Sequence, residues 1–98
     1  IEDEYERMLF ALASYNIGYG HVVDAISIAQ KMGLKENRWQ NLKTVLPLLS
    51  KPKYYEKSKH GYARGWETVQ YIENILTYFD ILKQKLKIGK NIFNIYLF

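Results

Sequence analysis

The sequence predicts an all-α domain, and three observations carry that reading. Apolar residues recur at three- and four-residue steps over most of the 98 residues, the period of a helix with one buried face. Asn, Gly and Pro fall at the ends of those runs, where helices start and stop. Outside a short C-terminal tail, nothing alternates with the two-residue period of a half-buried strand.

The first helix is expected over residues 3–16. Tyr5, Met8, Leu9, Leu12 and Ala13 form its apolar stripe, and Glu2, Asp3, Glu4 and Glu6 gather in its first turn, as solvated charges that suit the helix dipole. Gly18 and Gly20 are expected to end it, because glycine accepts the left-handed backbone of a helix C-terminus. A second helix is expected over residues 21–32, with Val22, Val23, Ile26 and Ala29 inward and Gly33 as its stop. Asn37 is a suitable N-cap for a third helix that turns Trp39, Leu42, Val45, Leu46 and Leu49 inward. Pro47 should end that helix near Leu46.

Residues 50–61 show no period and read as a long loop holding Pro52 and the pair Tyr54-Tyr55. At this length a loop is more often functional than a short one, and the two tyrosines are its candidates for contact with a ligand. The fourth and longest helix is expected over residues 63–86, on the stripe Val69, Ile72, Ile75, Leu76, Phe79, Leu82 and Leu86. The tail, residues 88–98, is unassigned: a lone strand would have no partner.

Composition narrows the function classes. An apolar fraction of 48% argues against disorder. Without cysteine there is no disulfide framework and no thiolate metal site. His21 and His60 have no clustered carboxylates beside them, so they read as surface or capping residues and no metal site is expected. No apolar run reaches the ~20 residues needed to span a bilayer. The start, Ile1-Glu2-Asp3-Glu4, is acidic where a signal peptide is basic and lacks Met, which fits a fragment or a processed product. The net charge of +4 is uneven. Lys51, Lys53, Lys57, Lys59 and Arg64 make one basic stretch, and Lys83, Lys85, Lys87 and Lys90 another. Such stretches are either solvated surface or a face for a polyanion.

One stretch is richer in chemistry than a core helix: Ala13-Ser14-Tyr15-Asn16-Ile17-Gly18-Tyr19-Gly20-His21. Its Tyr and Asn side chains both donate and accept hydrogen bonds. Alone, it fits a polar helix end as well as the wall of a cleft. Glu67 and Tyr71, four residues apart, share one face of the last helix near its start.

These segments together resemble a known family. Phe10-Ala11-Leu12-Ala13-Ser14-Tyr15-Asn16-Ile17-Gly18-Tyr19-Gly20-His21 with Asp24-Ala25 behind it, Leu46-Pro47-Leu48-Leu49-Ser50, the Tyr54-Tyr55 loop and the run from Gly61 to Ile75 occur in order. In that order they resemble the C-terminal half of the catalytic domain of soluble-lytic-transglycosylase type, and within it the membrane-bound lytic murein transglycosylase F group. The resemblance covers roughly residues 4–82. Ser14, where alanine is commoner, and the segment after Leu82 depart from it. It implies a lysozyme-like helical domain, with residues 1–87 its C-terminal part.

The implied activity is cleavage of the β-1,4 bond between N-acetylmuramic acid and N-acetylglucosamine in peptidoglycan. The muramoyl 6-hydroxyl displaces the leaving sugar to give a 1,6-anhydro end, without cofactor. The implied location is periplasmic, with outer-membrane association through N-terminal parts absent from this sequence. The family's acid–base glutamate lies upstream in a Glu-Ser motif that these residues do not contain, so no catalytic residue is expected here and the isolated chain is expected to be inactive. The resemblance implies substrate-binding roles for four residues. Tyr15 and Asn16 line the cleft, Glu67 holds the muramoyl part or positions the first helix, and Tyr71 places its hydroxyl near the catalytic carboxylate. The expected partner is the glycan strand, and nucleic acid is not expected. Two other readings stand beside this one: a non-catalytic glycan-binding remnant, and a small basic helical module for nucleic acid, whose patch would be residues 51–64.

Overall fold

A computed structural model describes residues 3–97, with side chains as far as Lys87. The order is α1 (Glu4–Ile17), α2 (Tyr19–Lys31), α3 (Trp39–Val45), a 3₁₀ turn (Leu46–Ser50), α4 (Pro52–Tyr55) and α5 (Gly65–Leu97). The fold is all-α, compatible with a lysozyme-like domain, and no strand occurs among the described residues. Of the tail left unassigned, residues 88–97 continue the backbone of α5, and their side chains and Phe98 lie outside the described residues.

Asp3 caps α1, its carboxylate accepting from Glu6 N–H at 3.0 Å. The buried face is Glu6, Leu9, Phe10 and Ala13. It is rotated from the expected stripe, since Tyr5 and Met8 stand exposed. Glu6 is a correction. It is buried and bonded, not solvated, its Oε2 accepting from the backbone N–H of Trp39 at 2.7 Å. That carboxylate serves α3 from outside, because Arg38, not Asn37, occupies the cap position and makes no side-chain cap bond.

Gly18 alone joins α1 to α2. At φ 103° it turns the chain where a side chain would strain it, and its N–H returns to Ser14 O at 2.9 Å. Gly20 does not end a helix as expected but lies in the first turn of α2. Its role is space: a Cβ there would sit 2.5 Å from the His60 ring. Val22 and Ala29 face inward as expected, joined by Asp24, Ala25 and Ile28, whereas Val23 is exposed.

Trp39, Leu42, Val45, Leu46 and Leu49 are all buried, as the spacing requires, and form the centre of the core with Leu9 and Ile72. Pro47 ends α3 and opens the 3₁₀ turn, where its missing N–H is not needed. The long loop holds one helical turn, α4, and returns through Ala63, whose N–H bonds to Leu49 O at 3.1 Å. α5 then begins two residues later than expected, at Gly65. The start of α5 lies directly on the 3₁₀ turn, so close that a Cβ on Gly65 would overlap the carbonyl oxygen of Leu46. Thr68 and Ile72 are buried and Leu76 is half-buried. From Tyr78 the helix runs past the core, and Phe79, Ile81, Leu82 and Leu86 are exposed.

Candidate functional site

The end of α1, the start of α2 and the start of α5 meet around a recess of about 220 Å³. Asn16 and Ile17 come from α1, His21 from α2, and Ala63, Arg64, Glu67 and Thr68 from the α5 entry. Two accidents of backbone geometry create it. The turn at Gly18 leaves a single residue between α1 and α2, and Gly65 lets α5 approach until Thr68 reaches α1. Thr68, 1% exposed, donates its hydroxyl to Asn16 Oδ1 at 2.7 Å. That bond uses the amide oxygen of Asn16 and leaves its NH₂ for a ligand acceptor.

Glu67 lies exposed at the rim, its carboxylate 3.5 Å from Arg64 Nη1. An i,i+3 pair at this exposure is screened by solvent, so it orients more than it stabilises. Arg64 is held above its ordinary pKa, first by the Tyr62 side chain and then by Glu67, and stays cationic. The recess thus offers a cation, a carboxylate, an amide and an imidazole within one concavity, a set able to hydrogen-bond hydroxyl and amide groups.

The structure brings together two of the four residues singled out from sequence, Asn16 and Glu67. Tyr15 stands beside them, 86% exposed. Tyr71 is one turn along α5 from Glu67, half-buried against the core and not among the recess residues. Of the two tryptophans, Trp39 packs in the core and Trp66 is 46% exposed.

Sequence reasoning missed Thr68, Arg64 and His21. The signal for Thr68 was a hydroxyl on the inner stripe of α5, three residues from Gly65 and four from Ile72. Of the two histidines read as surface or capping residues, His60 is exposed as expected and His21 is half-buried. His60 is tied to α2: its N–H donates to Asp24 Oδ2 at 2.8 Å, and its Nδ1 lies 3.3 Å from Asp24 Oδ1. His21 packs edge-on against the His60 ring at 6.4 Å, and its Nδ1 is buried without a hydrogen-bond partner. Among the described residues no group of His, Asp or Glu is arranged to hold a metal.

Fold and recess define an all-α module with a polar concavity between the end of one helix and the start of another. Sequence comparison is more particular. A membrane-bound lytic murein transglycosylase F from Desulfosudis oleivorans is 67% identical over 85 residues, 87% of this chain and 19% of that protein. Proteins of the same name from Shewanella loihica and Shewanella sediminis are 61% and 60% identical over 79 residues, 81% of this chain and 17% and 16% of theirs. Over these residues the chain is a homologue of a segment of membrane-bound lytic murein transglycosylase F, and it spans less than a fifth of the length of these relatives. No family model matches the chain. Among the described residues no helix is long and apolar enough to cross a membrane.

Proposed function

We propose that the chain forms the supporting wall of the glycan cleft in a peptidoglycan lytic transglycosylase, a cell-envelope enzyme of the periplasm. The observation that carries this reading is the recess where Asn16 and Glu67 meet, built from two of the segments that resemble the family and lying in a chain 67% identical to a named relative. In the proposed reaction the muramoyl 6-oxygen bonds to its own anomeric carbon as the bond from that carbon to the leaving sugar breaks. A single glutamate protonates the departing 4-oxygen and then receives the proton of the 6-hydroxyl, so no water is consumed. Such a group must remain protonated near neutral pH, which desolvation achieves.

The part assigned to this chain is positional. Asn16, fixed by Thr68, offers its NH₂ to a sugar amide or hydroxyl, and Glu67 accepts from a muramoyl hydroxyl. Tyr15 borders the glycan, and Tyr71 acts from the second turn of α5. With no Glu-Ser motif among its 98 residues, the chain binds without cutting. Membrane association belongs to other parts of the relatives.

The test uses murein sacculi. The isolated chain should co-sediment with sacculi and release no anhydromuropeptides, whereas a full-length relative should release them. In that enzyme, replacing the residues matching Asn16 and Glu67 by Ala and Gln should each lower kcat/KM at least about tenfold, a loss of ~1.4 kcal/mol of transition-state binding. Release of anhydromuropeptides by the chain alone, or unchanged kcat/KM, would refute the assignment.

A further inference from the structure

Further along α2 than the recess lies a larger groove, about 550 Å³, between α2 and the segment from α4 to residue 59. Four lysines line it: Lys31 from α2 and Lys53, Lys57 and Lys59 from the facing segment. Among the described residues none of the four is in an ion pair. The single acidic residue lining the groove, Asp24, is 6% exposed and has both carboxylate oxygens directed to His60. Four lysines therefore line one concavity whose single lining carboxylate is already engaged. Its floor is apolar, with Ile28 buried and Met32 on the rim, 47% exposed. Lys53 Nζ sits 5.6 Å from the ring centre of Tyr54, which holds that charge at the groove wall.

We infer that this groove binds an acidic peptide segment, with side-chain carboxylates on Lys31, Lys53, Lys57 and Lys59 and an aliphatic side chain on the floor between them. Clustered like charges cost free energy unless a partner supplies the opposite sign, and a concave apolar floor adds a contact that a plain polyanion cannot use. A flat anionic membrane would meet only the rim. A nucleic acid would satisfy the lysines and leave Ile28 and Met32 unfilled. The inference does not depend on the glycan reading, because no residue that lines this groove lines the recess.

The test is a titration of the 98-residue chain into a fluorescein-labelled Leu-Glu-Leu-Glu peptide, read by anisotropy at low salt. Saturable binding is expected. It should weaken at least about tenfold for the Leu-Gln-Leu-Gln peptide and severalfold for Gly-Glu-Gly-Glu. The double variant Lys53→Glu/Lys57→Glu should lose at least about tenfold, whereas Lys83→Glu/Lys87→Glu should bind within about twofold of the parent. All four lysines are exposed, so circular dichroism should be unchanged by these variants. The inference is overturned if the Gln peptide binds equally, if the groove variant binds as tightly as the parent, or if the glycine peptide matches the leucine peptide. It is equally overturned if phosphatidylglycerol vesicles or duplex DNA bind and the peptide does not.

Discussion

Replacing Glu6 with alanine should destabilise this domain more than an ordinary acidic residue in a first helical turn would suggest. Glu6 Oε2 accepts the N–H of Trp39 at 2.7 Å, and Trp39 is 1% exposed. Without Glu6 that buried N–H, the first of α3, has no replacement from the residue at the cap, Arg38. A hydrogen bond to a charged group contributes about 1.5–3 kcal/mol, and an orphaned buried donor costs on the same scale. The pair with Arg38, at 3.9 Å and with the guanidinium half exposed, adds at most ~0.5 kcal/mol. The expected loss for Glu6→Ala is therefore about 2–3 kcal/mol, or roughly 10–20 °C in Tm for a domain of this size. Glu6→Gln keeps an acceptor without the charge and should lose about 1 kcal/mol. Arg38→Ala should lose less than about 0.5 kcal/mol. Urea unfolding followed by circular dichroism and by tryptophan fluorescence in a Trp66→Phe background reads all three. A Glu6→Ala midpoint within ~0.5 kcal/mol of the parent, or an Arg38 variant as damaging as the Glu6 one, would refute the reasoning.

Gly65→Ala forces a Cβ onto the backbone carbonyl of Leu46, which cannot rotate away; a loss of about 3 kcal/mol or more is expected in the same unfolding experiment. Thr68→Val keeps the shape but removes the donor to Asn16 Oδ1. Stability should fall by only about 1 kcal/mol, while the Asn16 side-chain amide resonances move and broaden in NMR spectra. Glu36 lies below the ordinary carboxylate range, first through its own backbone N–H and then through Gln30 Nε2 at 3.2 Å. An acid lowered by folding gives stability that is present above its unfolded pKa and lost as pH falls through the folded value, so the bonds at Glu36 should weaken only as the pH drops below the ordinary carboxylate range. An NMR titration of Gln30→Ala should show the Glu36 pKa rising toward the ordinary value.

Periodicity read the helices well where the buried face is made only of apolar residues. The whole inward set of α3 and its 3₁₀ extension, Trp39 to Leu49, was legible because the core there contains nothing polar. It failed where a polar side chain is part of the core. Glu6, Asp24 and Thr68 each hold a stripe position and are buried because each bonds to a group far along the chain, which no local pattern records. That omission rotated the expected face of α1 toward Tyr5 and Met8. The glycines divide in the same way. Gly18 could be read from sequence because it bends the backbone, whereas Gly20 and Gly65 answer to neighbours 40 and 19 positions away, His60 and Leu46. For the site, the sequence brought Asn16 and Glu67 together only through resemblance; their meeting in space depends on the close approach at Gly65.

Trp39 is held from both directions along the chain. Its backbone N–H is bound by a residue 33 positions before it, and its indole N–H, at 3.4 Å, by Glu73, 34 positions after. Any single cut through the chain between Glu6 and Glu73 therefore leaves Trp39 on a piece lacking one of these partners. Fragments produced by nicking the exposed segment near Lys57 should reassemble only as a pair, and the tryptophan emission should report that reunion.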